Sequence, residues 1–310
     1  SDTPLAVDKE GNWYASAAGI LRKSTDGGLT YSSIKNFRDA ELNLGLVTVG
    51  NILALDNGAL VVSFFGAGIG KVVWVSDATQ TTWEEKIVFT SQVAMTRVHG
   101  WSHYDNIVLV TEYGTKNAVD NPRMTYLSTD YGQTFSIILE RPEGENMHMH
   151  DVAYDPYANR IWVSWGDSPT AGNIAYSDDL GATWTEVFSR PWIAQSTSIN
   201  PRWDCVLFGS DAEPDGLYKW KRNLSDLGGV VREEDIKRVV TLRPKAPNLE
   251  TQLGHIAYKG TEINGVLYIP FINAGNRGHN RVIATPDNKN FFEVWKDYGT
   301  GQGIQKIVGI

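Results

Sequence analysis

A single cysteine, Cys205, stands among 310 residues, which excludes an internal disulfide framework and a cysteine-rich zinc site. No run comes near the roughly eighteen consecutive apolar residues of a membrane span. Basic residues are the minority, 28 Lys and Arg against 36 Asp and Glu, leaving a formal charge of −8. That balance argues against nucleic acid as a partner, because phosphate binding needs a basic face, while leaving room for an acidic ligand at a local patch. No helical periodicity of useful length and no linker composition interrupt the chain, so a single domain over residues 1–310 is expected. What is abundant is glycine (30), tryptophan (11) and tyrosine (13), the composition of short strands joined by tight turns.

An internal repeat organises the rest. Ser24-Thr25-Asp26-Gly27-Gly28-Leu29-Thr30-Tyr31 returns as Ser128-Thr129-Asp130-Tyr131-Gly132-Gln133-Thr134-Phe135 and as Ser177-Asp178-Asp179-Leu180-Gly181-Ala182-Thr183-Trp184. Weaker copies lie at Ser76–Trp83 and Thr285–Phe292. The period is roughly fifty residues, enough for four short strands per unit. In each copy the Asp carboxylate is suited to accept turn amides, Gly permits positive φ, and Thr can tie the loop. These aspartates read as structural.

The motif resembles that of the Asp-box, or BNR-repeat, β-propeller family of the sialidase-like superfamily, in which S-x-D-x-G-x-T-W joins the third and fourth strands of a blade. The resemblance implies an all-β chain, one propeller of six four-stranded blades, with five as the alternative because the first and fifth are weak. Strands are expected at Asn51–Asp56, Ala59–Phe65, Lys71–Ser76 and Trp83–Phe89, and the later blades follow the same rhythm. The first blade's innermost strand is either Leu5–Asp8 or the returning segment Gln305–Ile310. The fifth blade carries a charged insertion, Asn223–Asp235, in place of its Asp-box.

This layout places the starts of innermost strands and the ends of second strands on the face opposite the Asp-boxes. Five of six histidines begin innermost strands there: His99 and His103 flanking Trp101, then His148 and His150, then His255. Three readings stand for them. His148, His150 and His255 could hold a divalent metal on the propeller axis. Alternatively His148, His150 and His99, with Tyr113, would act as base and acid in abstracting a sugar proton beside a carboxylate. Or they simply hydrogen-bond within a narrow channel. Trp101, Trp165 and Trp203 are candidates for stacking on sugar rings. Arg123 and Arg202 would neutralise a carboxylate, and His103, Asp167, Asp211 and Asn273 would complete a substrate-binding mouth. Asp151, Asp155 and Asn159 read as turn chemistry on the Asp-box side, and Cys205 as a small buried hydrophobe.

The resemblance implies a carbohydrate-active protein, a polysaccharide lyase or glycosidase acting on a glycan at this mouth. The alternatives are a non-catalytic glycan- or receptor-binding propeller of a bacterial surface or phage tail protein, and a metal-dependent propeller enzyme. An extracellular, cell-surface or virion location goes with these. The missing Arg-Ile-Pro, with Arg22 followed by Lys23-Ser24, argues against sialidase activity itself.

Overall fold

The computed structural model describes residues 3–38, 48–65, 72–89, 100–113, 123–142, 148–166, 172–188, 195–210, 216–242, 255–273 and 279–297. They form two compact units, one within residues 1–140 and one within 141–307. Each unit holds three antiparallel sheets whose strands pair in chain order.

In the first unit, sheet one comprises β1 (Thr3–Val7), β2 (Trp13–Ala17), β3 (Ile20–Ser24) and β4 (Ser32–Asn36). Sheet two has β5 (Thr48–Ala54), β6 (Leu60–Phe65), β7 (Val72–Ser76) and β8 (Trp83–Val88). Sheet three has β9 (Trp101–Tyr104), β10 (Ile107–Thr111), β11 (Met124–Ser128) and β12 (Ser136–Glu140). In the second unit, sheet four has β13 (His148–Asp155), β14 (Arg160–Gly166), β15 (Asn173–Ser177) and β16 (Thr185–Glu186). Sheet five has β17 (Ser196–Arg202), β18 (Cys205–Ser210), β19 (Gly216–Lys221) and β20 (Ile236–Thr241). Sheet six has β21 (His255–Ala257), a short β22 (Thr261–Ile263) that also pairs with β23, then β23 (Val266–Asn273), β24 (Asn280–Thr285) and β25 (Phe292–Asp297). The first sheet takes its innermost strand from the N-terminal segment, one of the two expected sources; the other, Gln305–Ile310, lies outside the described residues. The short β22 was not expected from sequence.

The strands form because they are runs of β-branched and aromatic residues, and the middle ones are covered on both faces. Every residue of β10, β14, β15 and β18 is buried, whereas the outermost β4 and β12 are largely exposed. Alternation assigns the faces. In β18, Val206 and Phe208 pack with Trp162 and Ile199 of sheets four and five, while Cys205 and Leu207 pack with Ala257 and Phe271 of sheet six. Each such apolar side chain contributes roughly 1.5–3 kcal/mol by leaving water. Cys205 is fully buried, and burial pushes its thiol up to about 12, so it behaves as the small hydrophobe expected.

The repeat turns join the third and fourth strands of sheets one, three and four with one hydrogen-bond scheme. Ser24 Oγ donates to Asp26 at 2.6 Å and accepts from Gly28 N at 2.8 Å; Asp26 also takes Thr30 N at 2.9 Å and Thr30 Oγ1 at 2.6 Å. Ser128, Asp130 and Thr134 repeat this, as do Ser177, Asp179 and Thr183. Tyr131 and Gly132 adopt φ of 57° and 79°, and Leu180 and Gly181 of 56° and 93°, a two-residue left-handed corner that favours glycine. The weaker copies keep the logic with shifted residues. In sheet two the carboxylate is Asp77, which accepts Thr81 N and Thr82 N; in sheet six Asp287 accepts Lys289 N and Asn290 N, and Asn290 replaces the threonine.

Sheet five has no such turn. Its insertion, ending in a short 3-10 turn at Glu233–Asp235, is held by two buried arginines. Arg160 donates to both oxygens of Asp178 at 2.6 and 2.9 Å and to the carbonyls of Gly228 and Gly229, with its guanidinium 3.9 Å from the centre of the Tyr176 ring. Arg222 pairs with Asp155, both side chains without exposure, and also donates to Leu227 O and Arg202 O.

Two expectations follow. Bonds from Ser24 and Thr30 hold the Asp26 carboxyl down at about 2, and bonds from Thr183 and Ser177 hold Asp179 at about 2. A carboxyl lowered in the fold from about 3.9 stabilises it fully above about pH 4, and that stability is lost as pH falls toward 2. Melting temperature should therefore fall steeply between those limits, and Asp179→Asn should show a lower melting temperature at neutral pH and a shallower acid loss. Second, Arg222→Ala should cost about 3–5 kcal/mol in urea unfolding, because it leaves the Asp155 carboxylate buried and unpaired.

Candidate functional site

The two edges of each sheet differ. One carries the repeat turns and the tight first-to-second-strand hairpins. The other carries the longer second-to-third-strand connections of five sheets, such as 112–123 between β10 and β11, 167–172 between β14 and β15 and 274–279 between β23 and β24. Long connections on a rigid scaffold are where binding residues concentrate. At this edge four innermost strands change register at matching places: between Pro4 and Ala6, Val49 and Asn51, Met149 and Asp151, and Ser196 and Ser198. A bulge re-aims the extra side chain. In the second unit those extra residues are His150 and Thr197.

His150 is fully buried. Its Nδ1 lies 3.2 Å from Ser196 O, and since a carbonyl only accepts, Nδ1 carries the proton. Ser164 Oγ donates to the same carbonyl at 2.7 Å and accepts Asp151 N at 3.2 Å. The imidazole fits because Gly166 has no side chain: a Cβ there would lie 2.6 Å from His150 Cε1 and 3.2 Å from Gln195 Cγ. Thr197 is 2 % exposed, and its hydroxyl has no hydrogen-bond partner among the described residues. His255 opens β21, buried, with Nε2 donating to His279 O at 3.0 Å. Asn273, at the end of β23, is buried beside it, and its backbone N–H donates to Asn280 Oδ1 at 2.9 Å.

One step further along the inner strands sits Asp151, fully buried on β13 rather than in a turn as expected. It accepts Ile199 N at 2.7 Å and Lys259 Nζ at 3.0 Å. It thereby ties the inner strand of sheet four to that of sheet five and to the segment after β21. The cause is visible only in the structure: eight residues of β13 face seven of β14, the extra one marking the bulge.

In the first unit the same edge holds Glu112 and Tyr113 after β10 and Arg123 before β11. Glu112 is fully buried; it accepts Tyr126 Oη at 2.9 Å and the amides of Arg123 and Met124. Burial and the Glu112 charge push the Tyr126 phenol up. Tyr113 is half-buried.

Several expected site residues are placed otherwise. Arg202 is at the turn-bearing end of β17; it donates to Asn288 Oδ1 and Gly265 O and pairs with Glu262, so it serves the opposite edge. His103 is one residue from the β9–β10 hairpin, since the strand is only four residues long, and it too lies away from the candidate edge. Trp101 is packed among Val75, Val108 and Val110, which leaves no face for a sugar. Trp165, 1 % exposed, alternates with Ser164 and Gly166 onto the other face of sheet four, where the Arg141 guanidinium covers its ring at 4.3 Å. Arg123 is on the expected edge but pairs with Glu140 at 3.0 Å. His148 starts β13 opposite Gly166, with its side chain outside the described residues. His99, Asp167 and Asp211 lie outside the described residues altogether. Among the described residues no group of three His, Cys, Asp or Glu is arranged to hold a metal ion, and no helix is long and apolar enough to cross a membrane.

No family model matches the chain, and no curated protein matches it. Solved structures do. A prolyl endopeptidase structure matches 97% of the chain at TM-score 0.62 and 10% identity, and a post-proline cleaving enzyme from Rickettsia typhi matches 95% at 0.58 and 12%. The matches cover 43% and 46% of those proteins, so the chain spans less than half the length of either. YCF48 from Cyanidioschyzon merolae matches at TM-score 0.57 and 11% identity over 96% of this chain and 85% of its own. At such identities the likeness concerns fold alone, and the fold is that of a β-propeller, with six sheets corresponding to the six expected blades.

Gly166→Ala tests the local geometry. The added methyl should cost about 1–3 kcal/mol by overpacking against His150. Combined with His150→Ala it should cost less than the sum of the singles by more than about 0.5 kcal/mol, measured as a double-mutant cycle in urea.

Proposed function

We propose that the chain is an Asp-box β-propeller that binds a glycan on the edge opposite the repeat turns. The observation that carries this reading is the coincidence, on that edge of the second unit, of the long strand connections with the hydroxyl of Thr197, the buried Asn273 and the half-buried Gln195. Hydroxyl-rich ligands need such alternating donors and acceptors, set on a rigid frame. The Asp-box assignment is supported by the shared bonding of Ser24–Thr30, Ser128–Thr134 and Ser177–Thr183.

Binding is favoured over the lyase or glycosidase reading by how the titratable groups are used. His150 and His255 each spend a ring nitrogen on a backbone carbonyl inside the sheets. Asp151 and Glu112 are enclosed and committed to Lys259 and to backbone amides. A proton-transfer catalyst must instead reach the substrate proton within hydrogen-bond distance.

A panel of neutral and acidic polysaccharides tests this. Saturable binding should occur, weakened about tenfold or more in Gln195→Ala, whose side chain neighbours Gly166, with no unsaturated product seen by ultraviolet absorbance and no reducing ends released. Turnover abolished by His150→Ala would establish the enzymatic reading instead, and silence across the panel would remove the glycan.

A further inference from the structure

The turn-bearing edge of the second unit presents a second cluster that the proposed function does not use. Tyr157, in the β13–β14 turn, is 42% exposed, and Trp203, in the β17–β18 turn, is 55% exposed. Among the described residues of the unit, Phe292 is also exposed and most other large aromatic side chains are enclosed; Tyr157 and Trp203 stand on hairpins that are themselves pinned. Asp204, next to Trp203, accepts Asn288 Nδ2 at 2.7 Å and gives its carbonyl to Arg222 N at 3.0 Å. Tyr157 N bonds Asp155 at 3.2 Å, and the Arg222 guanidinium lies 5.8 Å from the Tyr157 ring centre. Arg222 also donates to Arg202 O at 2.8 Å, which links the two hairpins. Arg202 in turn reaches sheet six through Gly265 O and Glu262, whose side chain is half exposed. The phenol of Tyr157 is raised by burial and then by the charge of Glu262, which places that carboxylate in its vicinity.

We infer that this edge is a saccharide-contact site, with Tyr157 and Trp203 as the ring platforms and the Glu262 carboxylate, held by Arg202, as the polar contact. Aromatic faces match the apolar C–H face of a sugar ring, and rigid mounting lowers the ordering cost of binding. The ion pair selects the ligand class. Because Arg202 balances the Glu262 charge, a cation or an anion gains little, whereas hydroxyl groups can donate to the half-exposed carboxylate. The ligand is therefore a neutral oligosaccharide. The site is independent of the one on the opposite edge, and either can exist without the other.

The test is titration of the whole chain with cellohexaose, maltohexaose, laminarihexaose and chitohexaose, followed by tryptophan emission and calorimetry, with oligolysine and polygalacturonate as charged probes. At least one neutral sugar should bind, with affinity reduced about tenfold or more in Trp203→Ala and in Tyr157→Ala and largely kept in Trp203→Phe. Melting temperature should be unchanged in all three, since both rings are half exposed. Tyr104→Ala, an exposed tyrosine of the first unit, should bind as the parent does. Absence of binding by every neutral sugar, parent-like affinity in the two alanine variants, or Trp203-dependent binding of a charged probe in preference to the sugars would overturn the inference. Loss in Gln195→Ala with parent-like binding in Trp203→Ala would place the ligand on the opposite edge only, upholding the proposed function and sinking this one.

Discussion

Burial of both faces of each middle strand is the constraint from which the rest of the molecule follows. Within a unit, a sheet such as β13–β16 or β17–β20 has its middle strands covered by neighbouring sheets or by long side chains, so those strands have room only for apolar side chains and for polar groups that bond to backbone. Chemistry is thereby driven to the strand ends. One set of ends is closed by short turns whose polar groups satisfy each other. The other set leads into the longer connections, and there four innermost strands change register.

The two edges solve the same problem with different materials. On the turn edge, three Ser–Asp–Thr turns hold their carboxylates ionised by surrounding them with donors, which is why Asp26 and Asp179 titrate near 2. A carboxylate so satisfied is a weak base and a poor nucleophile, whatever its exposure. Where sheet five lacks the turn, Arg160 and Arg222 do the equivalent work from inside, trading one local carboxylate for two long-range clasps. On the opposite edge the bulges at His150 and Thr197 break the pleat locally, and Gly166 makes the gap that lets an imidazole turn inward.

Legibility from sequence followed the range of the interactions. The repeat turns are local, four to six residues across, so their residues could be read directly, and strands β6, β7 and β8 fall within a residue of the expected bounds. The degenerate turn at Asp77 was also readable, because the carboxylate moved by one position and kept its partners nearby. What sequence could not give was direction. Trp165 and Ser164 are neighbours in the chain, yet alternation sends one under Arg141 and the other to Ser196 O. Arg202 looked like a ligand contact because arginines neutralise carboxylates, and it is in fact consumed by Asn288, Gly265 and Glu262, residues about sixty to eighty-five positions away. Asp151 looked like turn chemistry because it precedes Tyr154-Asp155-Pro156, and the bulge beside it instead turns it into an inter-sheet tie.

That last contrast bears on what the edges can do. Asp151 and Asp155 are four residues apart on one strand, both fully buried, and each is matched by a cation from another sheet, Lys259 for one and Arg222 for the other. Removing either cation would leave a charge in a low-dielectric interior, so the pairs act chiefly to fix which sheets are neighbours. Ionised groups placed for that purpose are poor catalysts, because the bonds that make them structural also hold their protons or lone pairs away from a substrate. Three neutral groups near the strand ends of the second unit are not spent in this way: the hydroxyl of Thr197 at one edge and the exposed rings of Tyr157 and Trp203 at the other.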